Sequence, residues 1–338
     1  MSRILVTGGT GYIGSHTVVE LFNAGYDVII VDDLSNSDIK ILDQIEKITG
    51  KKPAFVKLDL CDEKEVIAFA AQHQDIAGVI HFAAFKAVGE SVQQPLKYYR
   101  NNFYSLINLL TAYNSKLKLV FSSSCTVYGQ PDMLPVTEFA PVKKAESPYG
   151  NTKQIAEEIL QETCAVNAGL EVIVLRYFNP VGAHETALIG ELPNGVPQNL
   201  IPFITQSAIG KRSSITVYGN DYNTPDGSAI RDYIHVVDLA KAHVSAIKRL
   251  EQAQTNYEVF NVGTGKGSSV LEIINAFEQS TGEKLQYTIG KRREGDVEQT
   301  FGDVTKANEV LGWKATLAID EMMSSAWKWE KYLKDNPF

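Results

Sequence analysis

Tyr149 and Lys153 are four residues apart, which on a helix sets them on one face, one turn from each other. A free phenol titrates near pH 10 and is a poor base in neutral water. An ammonium about 5 Å away, at an effective dielectric near 20, favours the phenolate by roughly 3 kcal/mol, over two pKa units. A tyrosine so placed can take a hydroxyl proton near neutrality and give it back. Ser122-Ser123-Ser124 lies upstream, and a Ser124 hydroxyl against the same oxygen would help relay that proton. A Tyr-x-x-x-Lys pair alone is commonly a solvated surface pair. Its chemistry depends on what the rest of the chain sets beside it.

The N-terminal apolar run leads directly into Thr7-Gly8-Gly9-Thr10-Gly11-Tyr12-Ile13-Gly14. Gly8, Gly11 and Gly14 are spaced G-x-x-G-x-x-G at a predicted strand-to-helix turn, where the backbone must turn tightly and approach a pyrophosphate. The helix that follows points its free N–H groups and positive dipole end at the phosphates. A glycine-rich turn holding no ligand is the bland alternative. Asp32 and Asp33 close the second predicted strand, 18 and 19 residues beyond Gly14. A carboxylate there can accept both adenosine-ribose hydroxyls and would repel a 2′-phosphate; no arginine stands beside it. The expected cofactor is NAD, unless the pair merely ends a strand. Asp59-Leu60, at the end of the third strand, would flank the adenine.

Positioning these groups requires strands alternating with helices. Predicted strands are Ile4–Thr7, Val28–Val31, Ala54–Leu58, Gly78–Phe82, Leu117–Phe121 and Glu171–Arg176; predicted helices include Tyr12–Asn23, Glu63–Gln72, Leu96–Tyr113 and Tyr149–Ala168. Short apolar runs of this kind belong to strands buried on both faces. The implied fold class is α/β, a doubly wound parallel-sheet Rossmann domain with a smaller α/β substrate-binding lobe. The Rossmann domain is expected over residues 1–180 and the lobe over 181–338, where prolines and glycines cluster (Pro180, Gly182, Pro193, Gly195, Pro197, Pro202). Arg231–Leu250 is expected to return to the first domain as a helix.

Composition excludes several classes. A net charge of −8 argues against general nucleic-acid binding. No charged leader or long apolar run precedes the first strand, so no membrane partner is expected. Cys61, Cys125 and Cys164 are scattered and odd in number, which suits reduced thiols in a cytoplasmic protein. The six histidines show no H-E-x-x-H spacing, so no metal is expected.

Several stretches together resemble the extended short-chain dehydrogenase/reductase superfamily. They are Thr7–Gly14, Ser122–Ser124, Tyr149–Lys153, Arg176-Tyr177-Phe178-Asn179-Pro180-Val181-Gly182 and Arg231-Asp232-Tyr233-Ile234-His235-Val236. His81-Phe82-Ala83-Ala84-Phe85-Lys86-Ala87-Val88-Gly89-Glu90-Ser91 and Tyr218-Gly219-Asn220-Asp221-Tyr222 narrow the resemblance to the UDP-glucose (UDP-galactose) 4-epimerase family. It runs over essentially the whole chain.

The resemblance implies a retained NAD and a transient 4-keto sugar. It gives Ser124, Tyr149 and Lys153 the catalytic roles. It places Tyr12, Ile13, Asn36, Ser37, Phe82, Ala83, Ala84, Lys86, Asn101, Ser122, Tyr149, Lys153 and Phe178 on the cofactor. Lys86, Ser124, Tyr149, Asn179, Asn199, Leu200, Tyr218, Arg231, Arg293, Asp296 and Thr300 would meet the UDP-sugar, and two guanidiniums suit a diphosphate. Singly, each lobe residue could be a solvated surface group. It further implies a homodimer pairing the helices that begin near Pro95 and Ser147.

Two departures narrow the chemistry. Related dehydratases carry Thr-Asp-Glu after the serine run, whereas this chain reads Cys125-Thr126-Val127, which disfavours loss of water. Thr300 stands where enzymes strict for UDP-glucose carry a bulky tyrosine, so UDP-N-acetylglucosamine and its galacto epimer are expected as further substrates. Epimerases of UDP-glucuronate or UDP-pentose, an NAD-dependent sugar dehydrogenase and a non-catalytic NAD sensor are the competing readings.

Overall fold

Short apolar runs become strands here because helices cover both faces of the sheet they build. The computed structural model describes residues 2–113, 116–193, 195–252, 256–293 and 297–338. Its first strands are β1 (Arg3–Thr7), β2 (Asp27–Asp32), β3 (Ala54–Lys57), β4 (Ile76–His81), β5 (Leu117–Ser124) and β6 (Leu170–Tyr177). Between them run α1 (Tyr12–Asn23), α2 (Ile41–Thr49), α3 (Glu63–Gln72), α4 (Val88–Gln93), α5 (Pro95–Ala112) and α6 (Pro148–Val166). Then follow β7 (Asn179–Val181), α7 (Leu200–Ala208), β8 (Ile215–Tyr218), β9 (Ile230–His235), α8 (Val236–Glu251) and β10 (Tyr257–Val262). The chain closes with β11 (Gly267–Ser269), α9 (Val270–Thr281), β12 (Tyr287–Gly290), β13 (Gln299–Thr300), α10 (Thr305–Val310) and α11 (Ile319–Asp335).

The main sheet has seven parallel strands in the order β10-β6-β5-β4-β1-β2-β3. Strand order reverses between β1 and β4, and the crevice beyond their carboxyl ends is where such sheets bind ligands. Alternation sets the two cores apart. Ile4 and Val6 pack with Val18, Leu239 and Ile247 of α1 and α8. Leu5 faces the other way, toward Val66, Leu106 and Leu160 of α3, α5 and α6.

A second group of elements caps the crevice. β9 lies between β11 and β13, β7 also pairs with β9, and β8 pairs with β12. Its own core joins α7, α9 and α11 through Ile204, Phe277 and Trp327. α9 starts at a capping box, in which Ser269 and Glu272 satisfy each other's backbone N–H groups.

One expected helix, Arg231–Leu250, begins as strand over its first quarter. Ile230–His235 is β9, and α8 begins only at Val236. Local periodicity there is overruled by tertiary pairing: Ile230 to Asp232 bond with β11, Ile230 and Arg231 with β13, and Tyr233 to His235 with β7. The helix starts where His235 Nδ1 accepts the Val237 N–H at 3.1 Å, the capping that ends a strand and opens a helix.

Candidate active site

The turn after β1 leaves no room for side chains. Gly8 has φ +70°, a left-handed conformation that favours glycine. A Cβ on Gly14 would lie 2.3 Å from the Gly8 carbonyl oxygen, so α1 can begin pressed against the turn only with glycine there. α1 carries no acidic residue in its first turn, which leaves its positive end uncompensated. The cradle thus fits a pyrophosphate.

Asp32 and Asp33 differ in their surroundings. Asp32 is buried and accepts from the Thr10 N–H (3.2 Å), the Leu34 N–H (2.9 Å) and the Ser37 hydroxyl (3.1 Å). It locks the glycine turn to the end of β2, with acceptor capacity left for one more donor. Asp33 accepts from the Ser35 N–H at 2.9 Å and is more open. Asn36 is exposed, while Ser37 also bonds Thr10 Oγ1 at 2.7 Å. Asp59 is exposed above β3 and accepts the Cys61 N–H; Leu60 is buried beneath it.

On the other side of the switch point, Thr7 Oγ1 and His81 Nδ1 meet at 2.8 Å, tying the ends of β1 and β4. Phe82, Ala83 and Ala84 continue from β4 half-buried. Asn102 of α5 holds this segment through the Phe85 N–H (2.9 Å) and carbonyl (3.1 Å) and reaches Thr152 of α6 at 3.0 Å. Neighbouring Asn101 donates to Asn102 at 3.0 Å.

β5 runs three residues further than the sequence suggests, through Ser124, because Ser122 to Ser124 pair with Leu175 to Tyr177 of β6. The serines therefore stand at the carboxyl edge of the sheet. Ser147 caps α6 by accepting the Gly150 N–H at 3.1 Å, with Pro148 in the first turn. Tyr149 and Lys153 thereby lie in the first turns of α6, above the serines. Lys153 is buried, and its ammonium donates to the Ser122 carbonyl at 2.6 Å. Ser122 Oγ bonds the Tyr177 hydroxyl, and Ser124 Oγ accepts the Thr126 N–H at 3.2 Å.

Electrostatics depart from the simple pair expected. Burial pushes the Tyr149 phenol up to about 12, with the Ser124 hydroxyl pulling it back. Burial also brings the Lys153 ammonium down to about 8, although Glu157 raises it. The ammonium is held on a carbonyl rather than on the phenol. In the protein alone burial dominates both groups, opposite to the lowering of the phenol expected from the spacing.

The cap supplies the remaining candidates. Phe178 is buried, and a Cβ on Gly302 would lie 2.4 Å from its ring. Asn179 Oδ1 is buried with no protein partner among the described residues, a polar atom left for a ligand. Asn199 and Leu200 open α7, and Asn199 donates to Glu191 at 2.7 Å. Arg231 donates to the Ile230 carbonyl at 2.8 Å, and Arg293 lies 4.7 Å from the Tyr218 ring centroid. Thr300 is buried in β13 and pairs in register with Arg231, so both side chains share one face. Asp296 lies outside the described residues.

Sequence reading missed Glu191, Glu157 and Tyr177. Glu157 is four residues after Lys153 on the buried face of α6 and binds Arg176 of β6 at 2.5 Å. A carboxylate on an otherwise inward-facing stripe was the available signal. Glu191 lies among irregular residues and gave none. Among the described residues no His/Cys/Asp/Glu cluster could hold a metal.

A doubly wound sheet with this cradle beside its switch point and a Ser-Tyr-Lys set along the same carboxyl edge defines the class. The sequence profile of GDP-mannose 4,6 dehydratase matches residues 5–326. A Dictyostelium discoideum UDP-glucose 4-epimerase is 51% identical over 97% of this chain and 95% of its own. The Stenotrophomonas maltophila UDP-glucose 4-epimerase, solved with NAD and formylated UDP-arabinopyranose, superposes with a TM-score of 0.96 at 46% identity, covering 99% of each chain. The Bifidobacterium longum UDP-glucose 4-epimerase, solved with NAD+ and UDP, gives 0.93 at 47% identity, again covering 99% of each. This chain belongs to the UDP-glucose 4-epimerase family of the extended short-chain dehydrogenase/reductases.

Proposed function

We propose that this protein is an isomerase that interconverts UDP-glucose and UDP-galactose at C4 and keeps its NAD through the cycle. The observation that carries the reading is the Tyr149 phenol hydrogen-bonded to the Ser124 hydroxyl, one helical turn before Lys153, at the carboxyl edge of the sheet that carries the glycine cradle. Near-full-length identity to 4-epimerases supports it. When bound, NAD supplies the ring that takes up and returns a hydride, and a positive charge that favours phenolate.

Tyr149 takes the C4 hydroxyl proton and gives it back to the C4 oxygen once C4 has been inverted, with the Ser124 hydroxyl sharing that oxygen. Lys153 holds the Ser122 carbonyl and lends its charge. Asp32 and Asp33 would meet the adenosine ribose, with Asp59 and Leu60 by the adenine, and Phe82, Asn101 and Phe178 would line the remainder. Arg231 and Arg293 would hold the diphosphate, with Asn179, Asn199, Tyr218 and Asp296 around the rest of the UDP-sugar. The cap within 181–338 is then the substrate lobe and 1–180 the cofactor domain, to which α8 and β10 return while β9 stays in the cap. α8 supports this by packing on α1.

The test uses purified protein and UDP-galactose with no added NAD. Separation of the UDP-hexoses should show UDP-glucose forming; steady reduction of added NAD instead would mark a dehydrogenase.

Thr300 favours a wider substrate range, because a small side chain shares a face with Arg231 where a bulky one would crowd an acetamido group. UDP-N-acetylgalactosamine should be turned over; a rate below about a thousandth of that for UDP-galactose, a loss of some 4 kcal/mol, ends this extension. A homodimer through α5 and α6 is part of the same reading, supported by exposed Leu96, Tyr104 and Ile107 on α5. A cytoplasmic location is proposed from the three free cysteines; among the described residues no helix is long and apolar enough to cross a membrane.

A further inference from the structure

Glu191 is anchored from behind and reaches forward to both sides of the crevice. Its carbonyl accepts from the Trp329 indole at 2.8 Å, and a Cβ on the preceding Gly190 would lie 2.5 Å from the Trp329 ring. The backbone is thus clamped to α11. Its side chain is only 14% exposed, and the side chain of Lys86, whose ammonium pairs with it at 3.4 Å, is 52% exposed. One carboxylate oxygen, Oε1, takes both Lys86 Nζ and Asn199 Nδ2, the latter at 2.7 Å. Lys86 follows β4 on the cofactor side, whereas Asn199 opens α7 on the cap.

From this we propose that Glu191 is a positioning residue: its sheltered carboxylate aims Lys86 and Asn199 into the crevice and joins the two halves of the site. The inference rests on the epimerase reading above. An amide nitrogen has two N–H groups and an ammonium three. With one of each directed at Glu191, the remainder point outward in a fixed orientation for a ligand oxygen. Pairing with Lys86 also offsets the carboxylate's charge, which alone would repel a diphosphate. Tyr12 belongs to the same junction, since its hydroxyl donates to the Gly182 carbonyl at 2.6 Å and Lys86 lies 5.8 Å from its ring centroid.

The test measures UDP binding by calorimetry and steady-state kinetics with UDP-galactose on the full-length, cofactor-loaded protein. Glu191→Ala should weaken UDP binding and raise KM about tenfold while kcat changes less than about threefold, the signature of lost ground-state binding. Glu191→Gln, which keeps an acceptor for Asn199, should recover a large part of that loss. In an Asn199→Ala background the Glu191→Ala effect should shrink to about twofold or less, because the two act as one unit. Equal UDP binding by wild type and Glu191→Ala overturns the proposal and leaves the epimerase reading intact. Tighter binding by Glu191→Ala also overturns it, because the carboxylate would then be competing with the ligand. A wild-type protein that neither binds UDP nor epimerises overturns the functional reading and this proposal with it.

Discussion

Tyr149 and Lys153 are each shifted by burial in the direction that suppresses charge, the phenol up to about 12 and the ammonium down to about 8. Their mutual help is therefore conditional on a protonated Lys153, which exists below about pH 8 and is lost above it. With the cofactor bound, Lys153→Met should lower kcat and move the rising limb of kcat/KM upward by about one pH unit or more, since the phenol loses a nearby positive charge. Profiles between about pH 6 and pH 9 read this directly; an unmoved limb would mean that the ammonium serves only to hold Ser122. Tyr149→Phe removes the base itself, and activity should fall on the order of a hundredfold to ten-thousandfold with the bound cofactor retained. The spacing of these residues was legible in the sequence. The sign of the phenol's shift was not, because a Coulomb estimate for one pair carries no information about how dry its surroundings are.

Elements hold these groups through contacts that sequence reading reached unevenly. The strands and helices of the first half were visible as apolar runs and amphipathic stretches, and α1 and α3 fall on the expected residues. β9 reads locally as the start of a helix because its identity comes from strands on both sides, partners that lie far away in sequence. α6 is fixed to β6 by the buried Glu157–Arg176 pair, which Ser123 and Tyr128 also join. The guanidinium is held above its ordinary range by that carboxylate, against the pull of burial. Removing one partner leaves an uncompensated buried charge. Glu157→Ala should cost about 3–5 kcal/mol in urea unfolding, and activity should fall with it as α6 loosens beneath Tyr149. A loss below about 1 kcal/mol would show that water reaches Arg176 and that the pair does not fix the helix.

At the scale of the whole molecule, buried histidines set an acid limit. Burial brings His16 and His81 down to about 3 and His235 and His243 to about 4. Unfolded imidazoles titrate near 6.5, so below that pH the unfolded chain binds more protons than the folded one. Their contribution is full above about pH 6.5 and is lost as pH falls toward 4 and then 3, at up to roughly 1.4 kcal/mol per pH unit for each. Urea unfolding at about pH 7, 6 and 5 should show this progressive loss; a flat series would place the imidazoles in contact with water. In the proposed cycle the cofactor domain and the cap hold an oxidised sugar and its cofactor together until the sugar is reduced again. The most direct measurement of that claim follows UDP-galactose carrying deuterium at C4. The predicted result is UDP-glucose with the label retained at C4 and no accumulation of reduced NAD. Label lost to solvent, or reduced NAD released in proportion to sugar consumed, would contradict the account.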